Sequence, residues 1–442
     1  MNHGQEGSSL AKRFAGIEIP AGLKWSNFFS LYLATLFVSC LAILPAVLQP
    51  ALLKEVINIP ENQAGTINAG LQNVGHVATL FLIIPVGILS DRVGRRILAL
   101  IGFVGCAVFY ILFGHTKDIC LALGITSLAG QLSVTYVLRA MIGIGLVVCY
   151  PQFITLVADY TYDRDRGKGM ALNGICFGVG SIIVFAVLAQ VAQKTGLMSL
   201  FYMAGALGFL GAIVSRLWLV DRMPQEKPKK LGIKEIYKVV SRSLDLKVSY
   251  VTSLLVRGDT SVIGVFLILW MVCVAGKSGI SPLKATAKGG IVMMVMGLVS
   301  FLAFPIVGVL LDRWGRLPVI ISGLILGGIG FCLAAATEDP FSPVMYPFMA
   351  LVGIGYASAV TGANTLASDA SPKPLLGSIL GGVNTMHPLC VLFFLQVGGF
   401  LFDKLGYWSP FALKGIADLL CGLWIFAVRK RLVVSKKEGI PA

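Results

Sequence analysis

GILSDRVGRR (87–96) ends an apolar run of helical length in a dense cluster of charge, and its reading decides the fold. A second version, GVLLDRWGR (308–316), begins half of the 442-residue length further on. Two such turns at that offset mark a duplicated chain, with the same short charged turn in each half. So few residues between two apolar runs force an antiparallel hairpin, and the glycines permit tight backbone approach. The aspartate is the odd member of a basic cluster. It can meet the positive end of a helix that starts on the same side, and the arginines can reach acids such as Asp159 or Asp369. A positive cluster that served topology alone would not repeat Gly, Asp and Gly in register.

Around these turns the chain is 56% hydrophobic and only 13% charged, with its apolar residues in blocks of about twenty. This defines an all-α integral membrane protein. Twelve transmembrane helices are read at 26–50, 66–89, 97–115, 132–157, 169–192, 197–219, 250–275, 287–311, 317–337, 344–366, 377–402 and 409–428. They divide into an N-terminal six-helix half (26–220) and a C-terminal half (250–428), joined by a basic linker (221–249) and flanked by tails 1–25 and 429–442. The linker holds a candidate amphipathic surface helix. The formal charge of +15 does not call for nucleic acid, because Lys and Arg concentrate in alternate loops. That asymmetry places both termini in the cytoplasm, the lipid bilayer being the one large partner. No removable signal peptide is expected. The nine cysteines read as small apolar residues, without metal-ligand spacing, so no metal site and no cofactor are expected.

Polar residues inside spans are the functional candidates. Gln72, Asn73 and His76 share one face of span two at helical spacing. Arg139 in span four needs water or a partner at its depth, and Gly143 and Gly145 follow it. In span seven, Arg257 and Asp259 are two residues apart, about 200° of helix rotation, so they cannot face one spot unless Gly258 loosens the helix. Asp259 is either neutralised by Arg257 or a proton or cation site. His387 precedes Pro388 and is expected near a local helix break, as a satisfied core histidine or a gate residue. Lys414 and Asp418 have the four-residue spacing of a helix ion pair near the outer end of span twelve. Met293, Met294 and Met296 read as packing.

The two turns, the length, the twelve spans and the span-four pattern of Arg139, Gly143 and Gly145 resemble the major facilitator superfamily (MFS). The resemblance covers the whole chain and implies the MFS fold of two pseudo-symmetric six-helix halves. It implies that Gly87, Asp91, Gly94 and Arg95, with Gly308, Asp312, Gly315 and Arg316, form conformational locks. Arg139 would take the role of the span-four arginine associated with proton coupling in drug exporters. Those exporters carry a Gly-Pro pair in span five, whereas GICFGVGSIIV (174–184) has no proline, which argues against proton-driven drug efflux and leaves uptake open.

The expected function is secondary active transport of a small solute by alternating access, coupled to protons, in a bacterial inner membrane. Arg139, Tyr150, Arg257, Asp259, Thr260, Tyr356 and Asn364 lie on the spans that line the central cavity in this superfamily, and two arginines could bind an organic anion. His76, His387, Asp259 and the methionines also suit a metal ion or an iron or siderophore chelate as the solute. A membrane receptor or scaffold that kept the fold without transport is the reading of another class. No motif supports an enzyme. A monomer is expected.

Overall fold

In the computed structural model, which describes residues 13–162, 164–222, 233–372 and 375–432, twelve helices are long and apolar enough to cross a membrane. Spans one to six run Trp25–Ile57, Glu61–Val93, Arg95–Gly114, Leu128–Tyr160, Arg166–Thr195 and Leu197–Trp218. Spans seven to twelve run Leu244–Val274, Pro282–Trp314, Arg316–Ala335, Met345–Ala370, Leu376–Leu405 and Ser409–Arg431.

The charged turns are shorter than their sequence suggests. Span two passes to span three through Gly94 alone, and span eight to span nine through Gly315 alone. Both glycines have positive φ (+108° and +88°), where a side chain is strained. At Gly94 a Cβ would also lie 2.5 Å from the Asp221 carboxylate, so glycine is required twice over.

Span seven begins at Leu244 rather than at 250. Ser243 caps it by accepting from the Leu246 N–H at 3.3 Å, and the charged Asp245 and Lys247 hide its first turn from a hydropathy reading. A separate helix, Ile233–Arg242, covers the described part of the expected amphipathic linker, and residues 223–232 lie outside the described ones. The connection between spans three and four also carries a short helix, Thr116–Ala122.

Two short strands, β1 (Arg13–Phe14) and β2 (Ile17–Glu18), pair before span one. Phe14 packs on Trp25, Phe28 and Tyr32, and the Glu18 N–H donates to Asp165 at 3.0 Å. Lys168, 2.8 Å from Asp165, holds that carboxyl below the usual carboxylate range. The hairpin is thus stapled to the connection between spans four and five.

The two halves meet chiefly along spans one with seven, two with eleven, and five with eight, with smaller contacts of one with eight and two with seven. Close approach there depends on glycine. Gly65 packs on Gly399, and a Cβ on Gly290 would meet the Phe185 carbonyl at 2.5 Å, within the π-helical turn Ile183–Leu188 of span five. Every such contact lies toward the face opposite the termini. Toward the termini's face, Gly87 of span two, Gly174 of span five, Gly308 of span eight and Gly377 of span eleven have nothing within 4 Å of a built Cβ. The halves are joined at one face and splayed at the other.

Within a half the packing is as tight. A Cβ on Gly355 of span ten would lie 2.5 Å from the Gly327 nitrogen and 2.6 Å from the Gly323 carbonyl of span nine. We predict that Gly355→Val destabilises the protein by about 1–3 kcal/mol. Gly87→Val, facing open space, should leave the thermal unfolding midpoint in detergent unchanged, and equal midpoints for the two variants would contradict this packing.

Candidate functional site

Three buried polar groups lie near the interface between the halves, and a fourth lies inside the C-terminal half. The first is Arg139, 4% exposed, at the middle of span four. Its Nε donates to Gln49 Oε1 at 2.9 Å and its Nη2 to Gln72 Oε1 at 2.8 Å, while Nη1 is buried without a hydrogen-bond partner. Gln49 is itself fixed, donating to the Asn68 carbonyl and side-chain oxygen at 3.2 and 3.0 Å. Two neutral amides orient the guanidinium without cancelling its charge. A buried cation with an unused N–H is poised for an anionic partner.

The second is Arg257, on the other half. Span seven is two helices, Leu244–Val256 and Asp259–Val274, separated by Arg257 and Gly258. The helix is interrupted at Gly258, yet Arg257 and Asp259 do not face one spot but meet different partners. Arg257 does not neutralise Asp259; its Nη2 donates to Asn364 Oδ1 of span ten at 2.6 Å. A cleft of about 390 Å3, lined by Asn364, Thr365, Ser368, Asp369, Leu380 and Asn384, runs between spans ten and eleven to that contact.

The third is a histidine pair. His76 of span two and His387 of span eleven, from opposite halves, lie edge to face with ring centroids 5.9 Å apart. His387 Nδ1 is 2.7 Å from the Arg257 carbonyl, which can only accept, so Nδ1 carries the proton. The expected break at Pro388 does not occur: the helix Leu376–Leu405 runs through it. Membrane helices tolerate an internal proline where neighbours meet the freed backbone groups. The break lies instead in the neighbouring span seven of the same half, and His387 binds its exposed carbonyl.

The fourth is Asp259 with Lys414 and Asp418. Lys414 Nζ lies 2.8 Å from Asp259 and 2.5 Å from Asp418, and all three are at most 1% exposed. The helix pair expected near the outer end of span twelve is therefore part of a fully buried, three-member cluster. Tyr150 packs on Phe177 and Tyr356 on Phe304, both tyrosines being half-buried near the interface. Thr260, by contrast, is exposed.

The charged turns lie at the splayed face. Arg95 Nε is 2.6 Å from Asp159 and its Nη2 3.8 Å from Asp91. In the second half Arg316 Nε meets Asp369 at 2.7 Å, the same bridge from the start of a span to the end of its neighbour. Asp312 is exposed. At the opposite face, Asp403 of span eleven accepts from the Gly65 and Thr66 N–H groups at 2.7 and 2.8 Å, capping the start of the helix Ala64–Val93 across the interface. Asn73 donates to the Leu392 carbonyl and to Gln396, both at 3.2 Å, and Gln190 to the Ala287 carbonyl at 2.8 Å.

Sequence reasoning missed Gln49, Asp403 and the link from Lys414 to Asp259. Gln49 left a signal as an amide between Pro45 and Pro50 in an apolar span. Asp403 left a fainter one, since FDKLG (402–406) echoes SDRVG (90–94).

Twelve spans, two pseudo-symmetric halves and polar groups near their interface define the class: a membrane transporter. The chain belongs to the Major Facilitator Superfamily, whose family model matches residues 31–286 and 250–441. It is 30% identical over 402 residues to the magnetosome protein MamH of Paramagnetospirillum magneticum, covering 91% of this chain and 92% of that one. It is 27% identical over 419 residues to the magnetosome protein MamZ of Magnetospirillum gryphiswaldense, covering 92% of this chain but only 63% of MamZ. Among solved structures, a D-xylose–proton symporter has the same fold, with a TM-score of 0.70 at 18% identity over 93% of this chain and 98% of the other.

The cap at Asp403 is predicted to hold the seal at the face opposite the termini. Asp403→Ala should remove about 1 kcal/mol from the closed arrangement. Cysteines introduced near Gly65 should then be labelled several-fold faster from the face opposite the termini, and unchanged labelling would rule the seal out.

Proposed function

We propose that the protein is a proton-coupled secondary transporter that carries a small anionic solute across a bacterial inner membrane by alternating access. The observation that carries this is Arg139: a buried guanidinium oriented by Gln49 and Gln72, with no carboxylate against it and one face unpartnered. Arg257, facing it from the other half, supplies the second cationic contact. Asn364, Tyr150 and Tyr356 complete the polar lining, and Asp259 takes the proton. With both termini in the cytoplasm, the splayed face is the inner one and the state described is inward-open. The protein works as a monomer, since both cationic contacts lie within one chain.

The lock roles follow from the same geometry. Gly87 and Gly308 face empty space here and come into close contact when the inner face shuts. Asp91 then meets the start of span eleven. A static receptor or scaffold has no use for a lock of that kind.

A second reading concerns the solute. The histidine pair between the two arginines, and the likeness to the magnetosome proteins MamH and MamZ, favour a metal as part of the cargo. Two buried arginines repel a bare cation, so the metal enters as an anionic chelate, with His76 and His387 available to an open coordination position. This stays within the first reading, because the recognised charge is negative in both.

Purified protein in proteoliposomes with an acidic exterior is predicted to accumulate at least one labelled organic acid or its ferric chelate. Arg139→Gln and Arg257→Gln should each lower that uptake more than tenfold, as loss of a charged hydrogen bond in a buried site does. Asp91→Asn should slow transport strongly and Asp312→Asn less so. Undiminished uptake by both arginine variants would remove the anion site.

A further inference from the structure

The cleft of about 390 Å3 between spans ten and eleven lies wholly within the C-terminal half. Its volume is that of a small-molecule site. Its walls are polar where a membrane span is ordinarily apolar: Asn364, Thr365 and Ser368 come from span ten and Asn384 from span eleven, beside Leu380. Polar groups inside spans are costly, so a set of four lining one space reads as a binding surface.

The hydrogen bonds these side chains already make narrow what they recognise. Arg257 Nη2 occupies Asn364 Oδ1 at 2.6 Å, so Asn364 has its amide N–H groups left to offer. Thr365 donates its hydroxyl proton to the Thr361 carbonyl at 2.9 Å and keeps its oxygen as an acceptor. Ser368 and Asn384 are exposed, and among the described residues neither side chain has a hydrogen-bond partner, so each offers a donor and an acceptor. Arg257 Nε is buried without a hydrogen-bond partner. Asp369, which follows Ser368 in the lining, is held by Arg316 at 2.7 Å. Donors and acceptors thus stand together along the cleft, with a cation at one end and a carboxylate at the other.

A carboxylate only accepts and an ammonium only donates, whereas a hydroxyl does both. The lining therefore matches hydroxyls, and Arg257 matches one acid group. Asp369 disfavours a second anionic group at the far end. Asn364 and Ser368 are one helical turn apart, about 6 Å, the reach of a chain of about four carbons. We propose that the cleft is a hydroxyl-binding subsite and that the solute is a polyhydroxylated monocarboxylate, with its carboxylate at Arg257 and its hydroxyls along Thr365, Ser368 and Asn384. This deepens the anion reading above and rests on it. Arg257 supplies the charge contact, and the cleft selects among acids. When the inner face shuts and water leaves the cleft, an acid without hydroxyls leaves these side chains unpaired, which disfavours its passage.

The test is equilibrium binding to the purified full-length chain in phosphatidylcholine nanodiscs, which present no sugar head group to compete. Gluconate, hexanoate, glucarate and glucitol are compared by calorimetry. Gluconate should bind roughly tenfold or more tighter than hexanoate, which has the same chain length without hydroxyls, and than glucarate, which adds a second carboxylate. Ser368→Ala and Asn384→Leu, at exposed positions, should each narrow the gluconate-to-hexanoate ratio about three- to tenfold, the worth of one hydrogen bond. Arg257→Gln should remove the advantage of gluconate over the neutral glucitol. Equal affinities for gluconate and hexanoate overturn the hydroxyl subsite and leave the anion reading standing. Gluconate and glucitol bound alike, both tighter than hexanoate, remove the anion reading and keep hydroxyl recognition. A ratio unchanged in both cleft variants overturns the assignment to this cleft. No binding of any of the four up to about 10 mM, by protein that unfolds cooperatively, overturns subsite and anion reading together.

Discussion

A carboxylate at the end of one helix caps the start of another across the interface between halves. Asp403 accepts from the first free N–H groups of span two, where the helix dipole and the unsatisfied donors both favour negative charge. This joins the two halves at one face, beside glycines that bring the backbones together at Gly65 and Gly399. Because rigid helices are joined there, they diverge at the other face, where Gly87, Gly174, Gly308 and Gly377 face open space. The turn that holds Asp91 has the same design at the opposite end of span two, down to a terminal glycine with positive φ at Gly94 as at Gly406. Here Asp91 sits 3.8 Å from Arg95 and is half-exposed. The related carboxylates at the two faces differ: Asp403 caps a helix of the other half, whereas Asp91 pairs with Arg95 of its own half.

The second constraint is the low dielectric of the membrane interior, where every charge needs an account. Within the first half, Arg139 is held by amides and remains a net cation. Within the second, Lys414 is over-supplied with acid. The break in span seven separates the helix that ends at Arg257, whose side chain meets Asn364, from the helix that starts at Asp259, which meets Lys414. The carbonyl released at the break is bound by His387, so the histidine from span eleven stabilises the backbone arrangement as well as facing His76.

Much of this was legible in the chain. Twelve apolar runs set the spans, since a backbone in lipid must satisfy its own hydrogen bonds and the helix does so. The repeated turn marked the duplication, because only glycine adopts the positive φ that joins two spans through a single residue. Arg139, Asp259 and His387 stood out because charge and histidine are costly in an apolar run. What a hydropathy pattern could not supply was the start of span seven, where Asp245 and Lys247 mask a helical turn, or the continuity of span eleven through Pro388.

Partnership was decided by tertiary structure alone. Lys414 and Asp418 form an ordinary helix pair by spacing, and only packing of span twelve against span seven brings Asp259 to the same ammonium. Gln49 and Gln72 become the partners of Arg139 only when spans one, two and four converge. Which face is open is likewise absent from the sequence, because both sets of glycines and carboxylates are present at once and only one set can be engaged. Sequence by itself determined the spans, the duplication and the positions of the costly charges, since each follows from local transfer energies. The three-dimensional packing decided which charges share a partner and which face is sealed, since both depend on distances between residues far apart in the chain.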